Sequence, residues 1–537
     1  VDINIDHEAE MTKYKELAKE QLPNLQKAID LLIECRDKGY KVAVVGDYDA
    51  DGVISTSQLM LMGKYLNITI VPFIPNRFID GYGLSDNIVE QIIERNIKLV
   101  ITVDNGTTAY AQMDKLRSKG IKVIVIDHHV IQDDIEIDAF VNPYLYSGDN
   151  IFKNVCASGL VFFFINRVAE VTGYDLNLKY LIGLASIGTI CDMVPLKDVN
   201  RSLVYMGMKS LNTYKAPWIR DLTNDNEIQE KNIGFVIGPI LNVSGRFGTA
   251  SLSLKLLTCE DDSYKVILKD LQFKISQRRL IEEEIRYDIC GVKCKKKIPT
   301  EFINTFPFSA LANKIYIFAH TDWHEGVLGI VAGNIKDLFN KTAIILTKCG
   351  DHWKGSIRSV KGMHVGNFIN DLRENDIIIR GGGHEMAGGL VVKDLKMLYD
   401  FCINYEYQYN TSAELMIDAV CSLSCVNNQT FNQLQLLGPF GIGNTDPVFL
   451  FPNCKICKIY QNTHKNFAIF FFSQGTNDKV IYSFVSDKRL EKAITMHRDK
   501  NFDIAAKIVH FNKNYDAQLN IVDIKILNFN FNINSIL

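Results

Sequence analysis

With 537 residues the chain is long for one hydrophobic core, so two to four domains are expected. Hydrophobic residues at 47% and charged residues at 23% describe an ordinary soluble globular protein, and a net charge of −3 excludes a global basic field, so any nucleic-acid contact must be a local patch. The longest aromatic runs, 160–165 and 467–472, are too short to span a bilayer, residues 1–20 lack the pattern of a signal peptide, and twelve scattered cysteines suit a reducing cytoplasm better than a disulfide framework.

Residues 8–38 read as helical, with apolar side chains at Leu17, Leu22, Leu25, Ile29, Leu32 and Ile33. Lys41 to Val45 is a short apolar run that reads as a buried strand. At its C-terminal end, Gly46-Asp47-Tyr48-Asp49-Ala50-Asp51-Gly52 sets three carboxylates at every second position. Open α/β sheets bind ligands at such ends. Two carboxylates about 4 Å apart repel by roughly 4 kcal/mol at an effective dielectric of 20, a large part of a typical net stability of roughly 5–15 kcal/mol. The chemical reading is a divalent-cation site and the bland one a solvated turn. An EF-hand loop fails on spacing, because the twelfth residue counted from Asp47 is Gln58 and not Glu.

A helix is expected from about 55 to 66 and a strand at 68–73, followed by a turn-rich loop in which Arg77 sits among aromatic residues. Alone, Arg77 reads as a surface residue. Two more apolar runs, 98–103 and 121–126, end in Asp104-Asn105-Gly106-Thr107 and Asp127-His128-His129, with a helical pattern at 109–120 between them. Three such strands with crossover helices predict a parallel sheet whose acids and imidazoles converge on one edge. Carboxylate with imidazole is a ligand set that suits Mn²⁺.

The stretches DYDADG (47–52), DNGT (104–107) and DHH (127–129) resemble successive motifs of the DHH phosphoesterase superfamily, and GLASIGTICDMVPL (183–196) resembles the fourth, which implies that Asp192 is a metal ligand. GPILNVSGR (238–246) resembles a signature of the RecJ family of single-stranded-DNA exonucleases within that superfamily. The charged helix that follows carries Arg278, Arg279 and Glu282 to Glu284; its arginines either pair with those glutamates or face nucleic acid. Lys293 and Lys295 to Lys297 form a basic cluster that tracks a phosphate backbone or is a solvated linker.

Further on, WHEGVLGIVA (323–332), KGSIRS (354–359) and GGGHEMAGG (381–389) resemble the family's DHH-associated nucleic-acid-binding domain, with Ile357 where glycine is expected. A glycine triplet lets main-chain N–H groups approach an anion. LGPFGIGNTDPVF (437–449) resembles the segment that precedes the family's oligonucleotide-binding (OB) barrel, and short strands at 467–472, 480–485, 502–509 and 517–526 suit a small β-barrel. Cys421, Cys425, Cys454 and Cys457 could be argued as a zinc site, but ordinary buried cysteines fit their strand-like context better.

The expected fold class is α/β: a parallel-sheet DHH catalytic domain (1–225), a connector with a long helix (226–299), a second α/β DHH-associated domain (300–405) and a C-terminal OB-like β-barrel (406–537). The resemblance implies a 5′-to-3′ single-stranded-DNA exonuclease of DNA repair and recombination that releases 5′-mononucleotides with two divalent cations, Mn²⁺ or Mg²⁺. It implies catalytic or metal-binding roles for Asp47, Asp49, Asp104, Asp127, His128 and Asp192, with Asp51 and His129 either touching the metals or supporting residues that do. Arg77, Arg246, Ser356 and Arg358 are expected to form a 5′-phosphate pocket from separate domains, since arginine's planar fork suits phosphate. Arg278, Arg279, Gly382, Gly383 and His384 are further expected nucleic-acid contacts.

Expected partners are single-stranded DNA and a helicase or single-strand-binding protein, in the cytoplasm, with no membrane. Rival readings are a nanoRNase or cyclic-dinucleotide phosphodiesterase of the DHH family, typically shorter and lacking a barrel, and a non-catalytic replication scaffold, which should have lost metal ligands. If the barrel only holds the strand, removing 410–537 should spare cleavage of very short oligonucleotides.

Overall fold

Runs of β-branched and apolar residues build the first sheet. β1 (Val42–Val45), β2 (Ile70–Phe73), β3 (Leu99–Val103), β4 (Lys122–Ile126) and β5 (Ala139–Val141) all pair in parallel, in the order β2-β1-β3-β4-β5. The inner strands β1 and β3 are buried along their whole length, as a parallel sheet covered on both faces requires. Strand order reverses between β1 and β3, so the crevice beyond their C-terminal ends is where such a sheet takes a ligand. The structure, a computed structural model, describes residues 5–132, 136–248, 250–290, 308–312, 314–407, 415–462, 467–474, 477–485, 488–510 and 516–526.

The helical stretch expected at 8–38 is two helices, α1 (His7–Gln21) and α2 (Leu25–Asp37). Pro23 lacks an N–H and pushes Leu22 to extended backbone (φ −108°, ψ 91°), while Asn24 turns left-handed (φ 61°). α3 (Ala50–Leu66) begins five residues before its expected start, because Asp49 caps it by accepting from Gly52 N–H at 3.1 Å. α4 (Asp86–Glu94) and α5 (Tyr110–Ser118) cover one face of the sheet through Ile88, Val89, Ile92, Met113 and Leu116. α3 packs instead on α6 (Ala157–Thr172) and α7 (Leu178–Cys191), and α7 on α8 (Asp198–Thr213).

The chain divides into two compact units: residues 1–73, 83–238 and 414–537, and residues 74–82 and 239–413. The second holds the 27-residue helix Tyr264–Cys290 and a mixed sheet in the order β10-β11-β9-β8-β7-β6, formed by β6 (Phe308–Ala312), β7 (Ile315–His320), β8 (Thr342–Cys349), β9 (His352–Arg358), β10 (Ile378–Gly383) and β11 (Ala387–Val392). Ile357, where glycine was expected, is fully buried on β9. Strand alternation then turns Ser356 and Arg358 to the other face, so no glycine is needed there. The position that does need one is Gly355, where a Cβ would lie 2.6 Å from the Ile345 carbonyl oxygen. The triplet Gly381–Gly383 is likewise the end of a strand paired with β11 and not a free loop. The basic cluster at Lys293 and Lys295 to Lys297 lies outside the described residues.

The C-terminal part of the first unit contains β12 (Ala419–Val420), β13 (Phe449–Asn462), β14 (Phe467–Gln474), β15 (Asn477–Val485), β16 (Asn501–Val509) and β17 (Gln518–Ile526), in the order β12-β13-β14-β15-β17-β16. A further antiparallel pairing of β13 with β16 closes β13–β17 into a barrel. Phe451, Phe470, Phe472 and Phe502 fill its interior. Those rings are core, not platforms for bases. Among the described residues no helix is long and apolar enough to cross a membrane.

Candidate metal centre and arginine pocket

The loop after β1 is pressed against the first turn of α3. A Cβ on Gly52 would lie 2.4 Å from the Asp47 main-chain nitrogen, so only glycine lets the loop approach this closely. Asp51 is turned toward a different element: its carboxylate accepts from Ala157 N–H at 2.8 Å and Ser158 N–H at 3.0 Å, at the start of α6. The exposed amides and dipole of a helix N-terminus favour an anion there. α6 has no side-chain cap from its own flanking residue, Cys156, and Asp51 supplies one from more than a hundred residues away.

Asp104, at the end of β3, adopts a left-handed backbone (φ 60°). Asn105 donates to Val45 O at 3.0 Å and Val103 O at 2.8 Å, tying β1 to β3 at the point where their acids emerge. Thr107 donates to Asp127 Oδ2 through its N–H (3.2 Å) and hydroxyl (2.6 Å), while Asp127 Oδ1 accepts from His128 N–H (2.8 Å) and lies 2.7 Å from His129 Nδ1. Burial alone would raise the Asp127 carboxyl, but its bond to His129 outweighs that and holds it below the usual carboxylate range. The imidazole of His129 is in turn pushed up to about 9, the pull of burial being overcome by Asp127. Asn142 donates to His129 O at 2.9 Å and fixes the same loop.

His128 Nε2 lies 3.2 Å from Asp104 Oδ1 and 3.8 Å from Asp192 Oδ2, so the third and fourth motifs meet the second. Asp192 ends α7, which packs so closely on α6 that a Cβ on Gly188 would lie 2.0 Å from Ser158 Oγ. Burial, and then Asp49, Asp51, Asp47 and Asp192, raise the Asp104 carboxyl well above its ordinary range. Asp192 is pushed up to about 9 by burial, Asp51 and Asp49, and Asp49 is raised by burial and Asp51.

Three overlapping groups have ligand atoms within 4.8 Å of one another: Asp104 with Asp127, His128 and His129; Asp51 with His128 and Asp192; and Asp47 with Asp49 and Asp104. Carboxylates gathered beside imidazoles in this way are a donor set that fits divalent cations such as Mn²⁺ or Mg²⁺. The cysteine quartet is not among the described groups able to hold a metal, but only Cys454 is the buried cysteine expected; Cys421 is half-buried, and Cys425 and Cys457 are exposed.

The second unit holds the opposite charge. Arg246 donates to Gly326 O at 3.1 Å, and Arg358 to Ser356 Oγ at 3.2 Å and Ile357 O at 2.9 Å. Burial lowers the Arg246 guanidinium to about 10, helped by Arg77 and Arg278; burial and then Arg77 lower that of Arg358. Gly329 leaves this face open, since a Cβ there would stand 3.0 Å from Arg358 Nη2 and 3.1 Å from Ser356 Oγ. Arg77, Arg246, Ser356 and Arg358, expected from separate domains, therefore all belong to one compact unit.

Arg278 pairs with Glu282, its Nε 2.9 Å from Oε1, and Arg279 is exposed. Gly382, Gly383 and His384 lie exposed on the β10–β11 hairpin. Sequence reasoning missed Thr107, Asn105 and Asn142 as supports and Gly329 as the gap beside Arg358. The first two stood inside the DNGT motif, where a buried amide and hydroxyl next to an acid were the available signal.

Residues 41–189 match the DHH family N-terminal domain, 311–406 the DHHA1 domain and 417–523 the RecJ OB domain. The single-stranded-DNA-specific exonuclease RecJ of Escherichia coli (strain K12) is 32% identical over 399 residues, 70% of this chain and 68% of the relative. RecJ from Thermus thermophilus, solved with Mn²⁺, shares the fold with a TM-score of 0.75 at 24% identity over 94% of this chain and 72% of that one. An exonuclease RecJ solved bound to manganese matches with a TM-score of 0.60 at 27% identity, over 72% of this chain and 96% of that one.

Proposed function

The chain belongs to the RecJ family, and from that premise we propose that it is a single-stranded-DNA-specific exonuclease that works 5′ to 3′ and releases 5′-mononucleotides. The observation that carries this reading is the set of three overlapping carboxylate and imidazole groups at the C-terminal edge of the first sheet. Asp47, Asp49, Asp104, His128 and Asp192 would hold two divalent cations, Mn²⁺ or Mg²⁺. Bound there, such a pair supplies an activated water and neutralises charge on the phosphoryl oxygens in an in-line displacement. Asp104 belongs to two of the groups and is the candidate shared ligand. Asp127 accepts a hydrogen bond from His129 Nδ1 and so fixes that ring, leaving Nε2 as its remaining polar atom. Asp51 braces the helix that packs against Asp192's own helix.

Arg77, Arg246, Ser356 and Arg358 would take the terminal 5′-phosphate. Their clustering leaves guanidinium groups beside one another in a half-buried site, and an anion relieves that repulsion with charge-assisted, fork-shaped hydrogen bonds. A 3′ end with a free hydroxyl offers no such group, which is the chemical basis of the polarity. The same reading places the enzyme in the cytoplasm, in repair and recombination, on strands opened by a helicase or covered by a single-strand-binding protein.

The test is a chelator-reversible nuclease assay on a long single strand, the same sequence as duplex, and dinucleotides. Degradation of the single strand to 5′-mononucleotides, lost with EDTA and restored by Mn²⁺, is expected. Preference for dinucleotides would favour the shorter-substrate phosphodiesterase, and no cleavage at all the scaffold.

A further inference from the structure

The segment that joins the barrel to the rest of the first unit, Leu437-Gly438-Pro439-Phe440-Gly441-Ile442-Gly443-Asn444, is fastened to the metal centre's own frame. Asp192 is followed by a short link to α8 in which Met193 is left-handed (φ 60°). Four residues after the acid, Leu196 N–H donates to Ile442 O at 2.7 Å. A Cβ on Gly441 would lie 2.7 Å from Leu196 Cδ1, and one on Gly443 3.1 Å from Pro195 Cβ, so the loop lies directly against this link.

Arg201, in the first turn of α8, donates through Nη2 to Leu437 O at 2.6 Å and reaches Gly438 O at 3.4 Å. Glu230 accepts from Phe440 N–H at 2.8 Å. Asn444 closes the loop on itself by donating to Leu437 O (2.9 Å) and Pro439 O (2.8 Å). Two residues on, Asp446 pairs with Lys507 of β16 at 3.2 Å, and β13 starts at Phe449. One continuous set of bonds thus runs from the barrel wall to the residues that follow Asp192.

We infer that this loop and Arg201 are positioning elements for Asp192, so that the C-terminal segment is a constituent of the metal centre and not only a strand-holding attachment. The inference rests on the reading of Asp192 as a metal ligand. The link from Asp192 to Leu196 is too short to absorb a displacement of the loop without moving the carboxylate. Small misplacements at a reacting centre are expensive in rate.

The experiment is Mn²⁺ titration of the chelator-treated full chain, read from the EPR signal of the free ion, with thermal midpoints on the same samples. Arg201→Ala is expected to weaken Mn²⁺ binding about 10–100-fold, the range for residues that orient metal ligands, and to lower kcat on a short single strand with KM little changed. Arg201→Lys keeps one donor for one carbonyl and should fall between. Asn444→Asp turns two donors into an acceptor facing two carbonyls; it should act in the same direction without touching α8, and it stands in if Arg201→Ala does not fold. Asp192→Asn separates the two readings. If it leaves Mn²⁺ affinity intact, Asp192 is no ligand and both fall. If it weakens binding while Arg201→Ala and Asn444→Asp bind Mn²⁺ like the parent, the ligand stands and the positioning role is overturned, even if their thermal midpoints drop.

Discussion

The carboxylate cluster of the first unit and the arginine cluster of the second are opposite in charge and alike in construction. Each gathers like charges away from water, the acids more deeply than the arginines, and burial first and like charge second push Asp104 and Asp192 up and Arg246 and Arg358 down. The supports differ. The acids are held by main-chain amides, helix ends and the Thr107–Asp127–His129 bonds, whereas Arg246 and Arg358 donate to carbonyls of their own unit. Buried like charge is unfavourable in a ligand-free protein, and on the reading proposed above a divalent cation would relieve it in the first site and a terminal phosphate in the second.

The sharpest way to break this comparison is Asp104→Asn. Asparagine tolerates the left-handed backbone at this position, so the change removes charge without forcing the turn. Cleavage should fall by more than about a thousandfold, roughly 4 kcal/mol of barrier, while single-strand binding stays within a few-fold. The metal-free protein should melt higher, because one of the repelling acids is gone. Turnover above a tenth of the parent's, measured with saturating Mn²⁺, would remove Asp104 from the chemistry.

Deleting residues 410–537 tests how far the acidic site depends on distant chain. A barrel that only held the strand would leave very short oligonucleotides as good substrates. With the 437–444 loop fastened beside Asp192, kcat on short and long strands should fall together, by about a hundredfold at the upper end for lost ligand support. Full activity of the folded truncation on short strands would confine the barrel to binding.

Arg358→Ala addresses the basic site alone. The ratio of kcat/KM for 5′-phosphorylated over 5′-hydroxyl strands should drop about tenfold, the equivalent of one charge-assisted hydrogen bond at roughly 1.5 kcal/mol. Mn²⁺ affinity should not change. A parent enzyme indifferent to the 5′ end, or a mutant that keeps the full preference, would remove Arg358 from phosphate recognition.

The smallest effect is a pH dependence. The folded, metal-free Asp192 holds its proton up to about 9 against an ordinary 3.8, so the native state binds more protons than the unfolded one between those values. Stability of the metal-free protein should therefore fall as pH rises through that window. Mn²⁺ relieves the repulsion, and the gain in thermal midpoint on adding it should widen as pH rises from about 6 to 9. A constant gain would mean that the acids are not buried against one another as described.

Much of the acidic site was legible because its signals are local. An apolar run ending in Asp, followed by glycine or imidazole, states both a strand and what emerges from its end, and three such runs place Asp47, Asp104 and His128 on one edge before any tertiary contact is known. The break at Pro23 and the early start of α3 at Asp49 were equally local and were readable from proline and capping chemistry. The departure at Ile357 from the family pattern is accommodated by strand alternation, which buries that side chain on β9.

By itself, then, the sequence determined the parallel sheet, the order of its acids and the presence of a barrel, since apolar period, strand-end residues and turn formers act over a few positions. Only the tertiary structure decided that Asp51 caps α6, that Asp127 is shared between Thr107 and His129, that the barrel's phenylalanines face inward, and that Arg201 grips Leu437. The Asp51 and Arg201 bonds join groups separated by more than a hundred residues. Their partners depend on how helices and loops cross after the core has formed, and no local spacing carries that information.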